Sequence, residues 1–284
     1  MKDLAKLNTK YNFDAIETFN NCDFPRANSV FACGSYSLNE KTKIRSGAIA
    51  MYNFGQSSPV QISFAKFDFA VTDLKWQPFS DFISSANSDG SVKIFRAEPS
   101  NSFGLELLLN FDLSNSSLAL SLDWSPFDNK AIVASLSDGH IGLIDLENHS
   151  IDKFRAHNAE VWNVVFDSEN PFVVYSGSDD ASMKIWDMRS KSETSSKNFE
   201  YGVCSIAPDP HHGDLIAVGG YDQHVRIFDK RNIYSPVNSF NIGGGVLKLK
   251  LLMYVLIKGL AFEMAQTFAW VVIGKWDEKR MSRY

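Results

Sequence analysis

Val174-Tyr175-Ser176-Gly177-Ser178-Asp179-Asp180, followed by Met183-Lys184-Ile185-Trp186-Asp187, decides the fold. An apolar run ends in an aspartate, and a large hydrophobic residue stands six positions later. Working outward, the same figure recurs. Ile83-Ser84-Ser85-Ala86-Asn87-Ser88-Asp89-Gly90 leads to Phe95, and Ile132-Val133-Ala134-Ser135-Leu136-Ser137-Asp138-Gly139 leads to Ile144. Ile216-Ala217-Val218-Gly219-Gly220-Tyr221-Asp222 leads to Phe228. Before each copy lies a second short run: Val71–Trp76, Ala119–Trp124, Val161–Phe166 and Gly202–Ile206.

The recurring aspartates are residues 89, 138, 180 and 222. Their spacing is close to the period of about 40–45 residues that marks WD-repeat blades of four strands each. The short runs alternate apolar and polar residues or are wholly apolar, as strands stacked between neighbours require. Asp-Gly at 89–90 and 138–139 predicts tight hairpin turns, because glycine tolerates positive φ and aspartate can bond the turn backbone. The expected fold is therefore all-β, a WD-repeat β-propeller. His157, Ser176, Asp180 and Trp186 match the polar framework of such blades, which satisfies buried polar groups.

A weaker copy precedes these, with Val30–Tyr36 and Arg45–Tyr52 as strands and a polar loop between them. Blades are expected near 14–60, 61–100, 105–150, 151–195 and 198–235, with another starting at 240. Residues 1–250 would form the propeller and 251–284 a divergent tail. Loops are expected at Glu98–Gly104, Asp112–Ser117 and Ser190–Asn198. The last is rich in Ser and Lys and reads as a mobile excursion.

The sixth copy starts at Gly243-Gly244-Gly245-Val246 but never reaches its turn aspartate. Lys258 and Glu263 interrupt the apolar stretch beyond it, leaving uncharged pieces shorter than the about 20 residues a membrane helix needs. The tail reads either as two buried strands or a closing helix, or as a non-homologous end that leaves the propeller incomplete.

Hydrophobic residues make up 44% of the 284, enough for a sizeable core. The net charge of −5, without a basic run, speaks against nucleic acid as a partner. Cys22, Cys33 and Cys204 form neither a disulfide framework nor a metal-ligand pattern, which fits a reducing, cytoplasmic setting. The polar N-terminus lacks a secretory h-region. No metal, cofactor or membrane partner is expected.

Two stretches carry a sharper resemblance. One is Ala156-His157-Asn158-Ala159-Glu160-Val161-Trp162 with Val174–Asp180 and Trp186-Asp187-Met188-Arg189. The other is Gly202-Val203-Cys204-Ser205-Ile206 with Asp209-Pro210-His211, Gly220-Tyr221-Asp222, Val225–Asn232 and Gly243-Gly244-Gly245-Val246. Together they resemble the WD-repeat diphthine methylesterases of diphthamide biosynthesis. The Gly-Val-Cys-Ser-Ile and Gly-Gly-Gly-Val stretches are the most specific, since neither belongs to the general WD pattern. The resemblance spans roughly 14–250 and departs after Val246.

That resemblance implies hydrolysis of the methyl ester of methylated diphthine, a modified histidine of elongation factor 2, giving diphthine. A folded protein substrate suits a broad propeller face, which also serves to bind other proteins. The alternatives are a scaffold that binds proteins without catalysis and an inactive truncated form. No Gly-x-Ser-x-Gly or His-Glu-x-x-His motif is present. Site residues are therefore chosen by position, from the loops entering the inner strands and the residues before the turn aspartate. Glu160, Asp179 and Cys204 are the catalytic candidates, the carboxylates as general base and the cysteine as a nucleophile if its pKa were lowered. His157, Trp162 and Tyr221 are the substrate-binding candidates.

Overall fold

A computed structural model describes residues 13–18, 30–54, 59–97, 104–209, 213–253 and 267–274. Every regular element among them is a β-strand. The chain divides at Ala156/His157 into two compact units.

The first unit holds three antiparallel sheets. β1 (Phe13–Thr18), β2 (Val30–Ser35), β3 (Ser37–Leu38), β4 (Arg45–Phe54) and β5 (Pro59–Phe67) form the first. β6 (Val71–Trp76), β7 (Phe82–Asn87), β8 (Ser91–Ala97) and β9 (Leu105–Asp112) form the second, and β10 (Ala119–Trp124), β11 (Ala131–Leu136), β12 (His140–Asp145) and β13 (Ser150–Arg155) the third. In the second unit, β14 (Val161–Phe166), β15 (Val173–Ser178), β16 (Ser182–Asp187) and β17 (Ser192–Asn198) make one sheet. β18 (Val203–Pro208), β19 (Leu215–Gly220), β20 (His224–Asp229) and β21 (Asn238–Asn241) make the next, and β22 (Gly245–Met253) pairs with β23 (Thr267–Gly274). These four-stranded meanders are WD-repeat blades.

Burial explains the sequence pattern. The second strand of each blade is closed on both faces, so β7, β11, β15 and β19 read as continuous small or apolar runs. The outermost strands face water, and β13, β17 and β21 are correspondingly polar. This corrects the expected loop at Ser190–Asn198: residues 192–198 are β17. An edge strand needs only backbone pairing with its neighbour, here β16, and gives no hydrophobic signal. Most of Glu98–Gly104 lies outside the described residues.

Three contacts seat one blade against the next. A Cβ on Gly34, Gly177 or Gly219 would lie within 2.6 Å of Val71, Val203 or Val246, so the valine packs where a side chain is missing. A polar side chain also reaches across. Asp73 accepts from the Ser121 hydroxyl at 3.0 Å and the Leu122 N–H at 3.3 Å. Asn163 accepts from the Ile206 N–H at 2.8 Å, and Ser205 from the Leu249 N–H at 2.8 Å. Val246 and Leu249 thus repeat in β22 the contacts of the complete blades, although the sequence there has left the repeat.

Candidate functional site

The first strand of each blade starts with the same irregularity. Pairing skips one residue between Val71 and Asp73, Ala119 and Ser121, Val161 and Asn163, Val203 and Ser205, and Val246 and Lys248. The skipped residues are Thr72, Leu120, Trp162, Cys204 and Leu247. Such bulges re-aim a side chain at the rim of a sheet. The second strand ends beside the bulge, so the residue before each turn aspartate reaches the same rim. Those residues are Ser88, Ser137, Asp179 and Tyr221.

In the first unit these positions are self-satisfied. The Ser88 hydroxyl accepts from the Ala70 N–H at 2.8 Å and Ser137 from the Leu118 N–H at 2.9 Å. Thr72 donates to carbonyls in its own and the next blade. In the second unit the same positions hold Trp162, Asp179, Cys204 and Tyr221. The Trp162 indole N–H donates to Asp179 Oδ1 at 3.4 Å, and the Asp179 N–H to the Glu160 carbonyl at 3.0 Å. Tyr221 is tied through its N–H to the Gly202 carbonyl at 3.2 Å. A Cβ on Gly202 would stand 2.7 Å from Asp179 Oδ1 and 3.0 Å from the Tyr221 ring, so only glycine lets the two approach this closely.

Four of the six candidates, Glu160, Trp162, Asp179 and Tyr221, therefore gather at one rim. Glu160 and Asp179 are half-buried, and neither carboxylate has a cationic partner among the described residues. The neighbouring turn aspartate differs, because Asp222 is held by Arg226 at 2.5 Å. Glu200 and Tyr201, just ahead of Gly202, are exposed. Gly202 opens the Gly-Val-Cys-Ser-Ile stretch and stands immediately before β18.

His157 does not belong to this rim. Its Nδ1 lies 3.0 Å from Asp180 and its Nε2 2.7 Å from Ser176 Oγ. The order is that of a Ser-His-Asp triad. Yet the His157 side chain is fully enclosed, Ser176 is 0% exposed, and Ser176 Oγ also takes the Trp186 indole N–H at 2.8 Å. No ester carbonyl reaches that hydroxyl. Asp180 is closed further by the N–H groups of Asn158 and Ser182 and by the Ser182 hydroxyl. Burial pushes the His157 pKa down against the opposing pull of Asp180, so the ring is neutral, with Nδ1–H donating to the carboxylate. This is framework: His157, expected to bind substrate, is instead locked inside the blade.

Cys204, expected as a candidate nucleophile, is sealed in the core. It is 6% exposed, and burial pushes its thiol up to about 12. The fields of Asp179 and Asp222 add to that rise, while a hydrogen bond with Tyr221 opposes it. A thiol so held carries almost no thiolate near neutrality. Among the described residues no group of three or more His, Cys, Asp or Glu is placed to hold a metal, and no helix is long and apolar enough to cross a membrane.

The family model described as WD domain, G-beta repeat matches residues 59–96, 148–187 and 193–229. A chain of the mitotic checkpoint complex superposes with a TM-score of 0.62 at 20% identity, covering 88% of this chain and 74% of that one, a likeness of fold alone. Human diphthine methyltransferase is 29% identical over 87% of this chain and 63% of its own length, so the chain spans less than two thirds of that relative. The Schizosaccharomyces pombe diphthine methyltransferase is 31% identical over 78% of this chain and 68% of its own length. The chain belongs to the diphthine methyltransferase family of WD-repeat proteins.

Proposed function

We propose that this protein hydrolyses the methyl ester of methylated diphthine on elongation factor 2, in the cytoplasm, giving diphthine for the next step of diphthamide formation. The observation that carries the reading is the kinship, across most of the chain, with proteins named for diphthine. The rim of the second unit supports it, with two uncompensated carboxylates beside aromatic rings. The face bearing the rim would dock the folded substrate.

The chemistry asks little of the chain. A carboxylate takes a proton from water, the water oxygen attacks the ester carbonyl carbon, and the carbon–oxygen bond to the methoxy group breaks. Methoxide leaves with a proton as methanol, and the carboxylic acid remains. Glu160 is the assigned general base, since its carboxylate has no partner to surrender. Asp179, Trp162 and Tyr221 hold the substrate. The N–H groups of Asp179 and Tyr221 are already bonded, so they do not stabilise the oxyanion.

The test is direct. Elongation factor 2 carrying methylated diphthine is incubated with the protein in the absence of any methyl donor, and methanol and substrate mass are followed. Release of methanol with loss of one methylene equivalent is expected. Glu160→Gln should cut the rate about 100-fold or more with an unchanged melting temperature. A folded protein that binds the substrate without releasing methanol would favour a docking scaffold, and a mass gain on adding a methyl donor would favour transfer over hydrolysis.

A further inference from the structure

In the first unit, at the end of the blades opposite the bulges at Thr72 and Leu120, two loops carry the same short sequence. Trp76-Gln77-Pro78-Phe79 runs out of β6, and Trp124-Ser125-Pro126-Phe127 runs out of β10. Both tryptophans are buried, but Phe79 is 71% exposed and Phe127 46%. Phe79 is strained as well. Its φ is 58°, and a left-handed residue after proline in a turn is normally glycine or asparagine. A side chain with a Cβ is penalised there. The ring therefore stands in water on a backbone that disfavours it, and it serves neither the core nor the turn. Outliers of this kind gather where a side chain is held out for binding.

Among the described residues, no ring or cation covers Phe79 or Phe127. The corresponding loop of the β14–β17 blade differs, because the Arg189 guanidinium lies over Phe172 at 4.8 Å. The two loops of the first unit are also tied to each other. Gln77 Nε2 donates to the Asn129 carbonyl at 3.0 Å, and Asn129 Nδ2 donates to the Pro78 carbonyl at 3.1 Å. The Trp124 indole N–H donates to the Lys75 carbonyl at 3.3 Å. Both rings are thus fixed before a partner arrives, which lowers the ordering cost of binding.

Charge says what the partner brings. Lys130 pairs with Glu147 at 2.6 Å and also lies in the fields of Asp128 and Asp145. One ammonium group thus serves three carboxylates. Asp81, two residues past Phe79, meets no cation among the described residues. An acidic segment would be repelled here, whereas Lys or Arg beside an apolar anchor would be drawn in.

We propose that Phe79 and Phe127, with Asp81 and Asp128, form a docking patch for a basic segment of a partner protein. An apolar side chain of that segment seats against the two rings, and its flanking Lys or Arg meets the carboxylates. The patch is independent of the methylesterase reading.

Random peptides displayed on phage are selected against the full chain, with the Phe79→Asn, Phe127→Ser double variant as counter-selection. Enriched peptides should carry an apolar residue flanked by Lys or Arg. The consensus peptide, followed by fluorescence anisotropy, should bind Phe79→Asn about tenfold more weakly, and Asp128→Asn about threefold more weakly. Raising NaCl from about 0.05 to about 0.5 M should weaken it severalfold. Phe79→Asn should itself melt about 2–4 °C higher, since asparagine relieves the left-handed strain. Absence of enrichment over the double variant, enrichment of acidic peptides, or affinity indifferent to Phe79→Asn would each overturn the patch. A lower melting temperature in Phe79→Asn would overturn it too, because the ring would then be holding the loop. Sedimentation of the chain alone tests the other occupant: a dimer lost in Phe79→Asn would assign the patch to a second copy and overturn the basic-segment proposal.

Discussion

The two units use one frame for different ends. In the first, the residues before the turn aspartates are Ser88 and Ser137, whose hydroxyls close on backbone amides. In the second, the same positions carry Asp179 and Tyr221, and the bulge positions carry Trp162 and Cys204. Serine at such a position completes a turn and presents nothing. Aspartate and tyrosine instead place a charge and a ring at the rim. The frame therefore says where a side chain points, and the departure from serine marks the rim that we propose as the site.

The deepest cut into that comparison is the buried network of the β14–β17 blade. His157→Ala strands both Asp180 and Ser176, and should cost about 3 kcal/mol of stability by denaturant titration. His140→Ala, whose ring and Asp138 partner are part-exposed, should cost well under 1 kcal/mol. The two differ in pH dependence as well. The folded His157 pKa is depressed, so the unfolded chain takes up a proton near 6.5 while the folded chain does not. Its contribution is present above pH 6.5 and shrinks as pH falls below it. His157→Ala should flatten that fall, and an equally steep fall in the variant would refute the assignment.

Next in size is the exchange of rim chemistry between units. Asp179→Ser with Tyr221→Ser writes the first unit's residues into the second. Under the proposed methylesterase function, ester hydrolysis should drop about 100-fold, with the main loss in substrate positioning, while the melting temperature moves by no more than a few degrees. A collapse in stability with proportionate loss of activity would mean these side chains hold the blade instead.

The polar struts between blades come third. Asn163→Ala leaves the Ile206 N–H buried without its acceptor and should cost about 1–3 kcal/mol. Asn163→Asp keeps the acceptor, as Asp73 does at the equivalent place in β6, and should recover most of the loss. Failure of Asp to rescue would show that the amide serves another partner.

How far the sequence foretold all this depends on what each residue signals. The turn aspartates at 89, 138, 180 and 222 were plain, because a turn needs a particular chemistry at a fixed offset. β17 was hidden, because Ser192–Asn198 pairs only through its backbone and its polar side chains meet water as a loop's would. At the rim, position alone gathered Glu160, Trp162, Asp179 and Tyr221. Position could not tell that His157 is locked in a network or that Cys204 is sealed, since burial is set by neighbouring strands distant in sequence. Gly202 stood out in the sequence only as the start of Gly-Val-Cys-Ser-Ile; its steric role is set by Asp179 and Tyr221, on two other loops.

The smallest expected effect again sets one unit against the other. The turn position after the aspartate is left-handed in all four copies. It is glycine at 90 and 139, with φ of 79° and 88°, but Ala181 and Gln223 at φ of 60° and 65°. A residue with a Cβ pays about 1–2 kcal/mol to sit there, and glycine returns about 0.4–1 kcal/mol of that through the greater freedom of the unfolded chain. Ala181→Gly should therefore stabilise the protein by about 0.5 kcal/mol, read as a small rise in denaturant midpoint with no change in slope. Gly139→Ala should destabilise by a similar or larger amount. If Ala181→Gly lowers the midpoint, the turn of the β14–β17 blade is not strained, and its Asp180 network has adapted to alanine in a way that the glycine turns of the first unit have not.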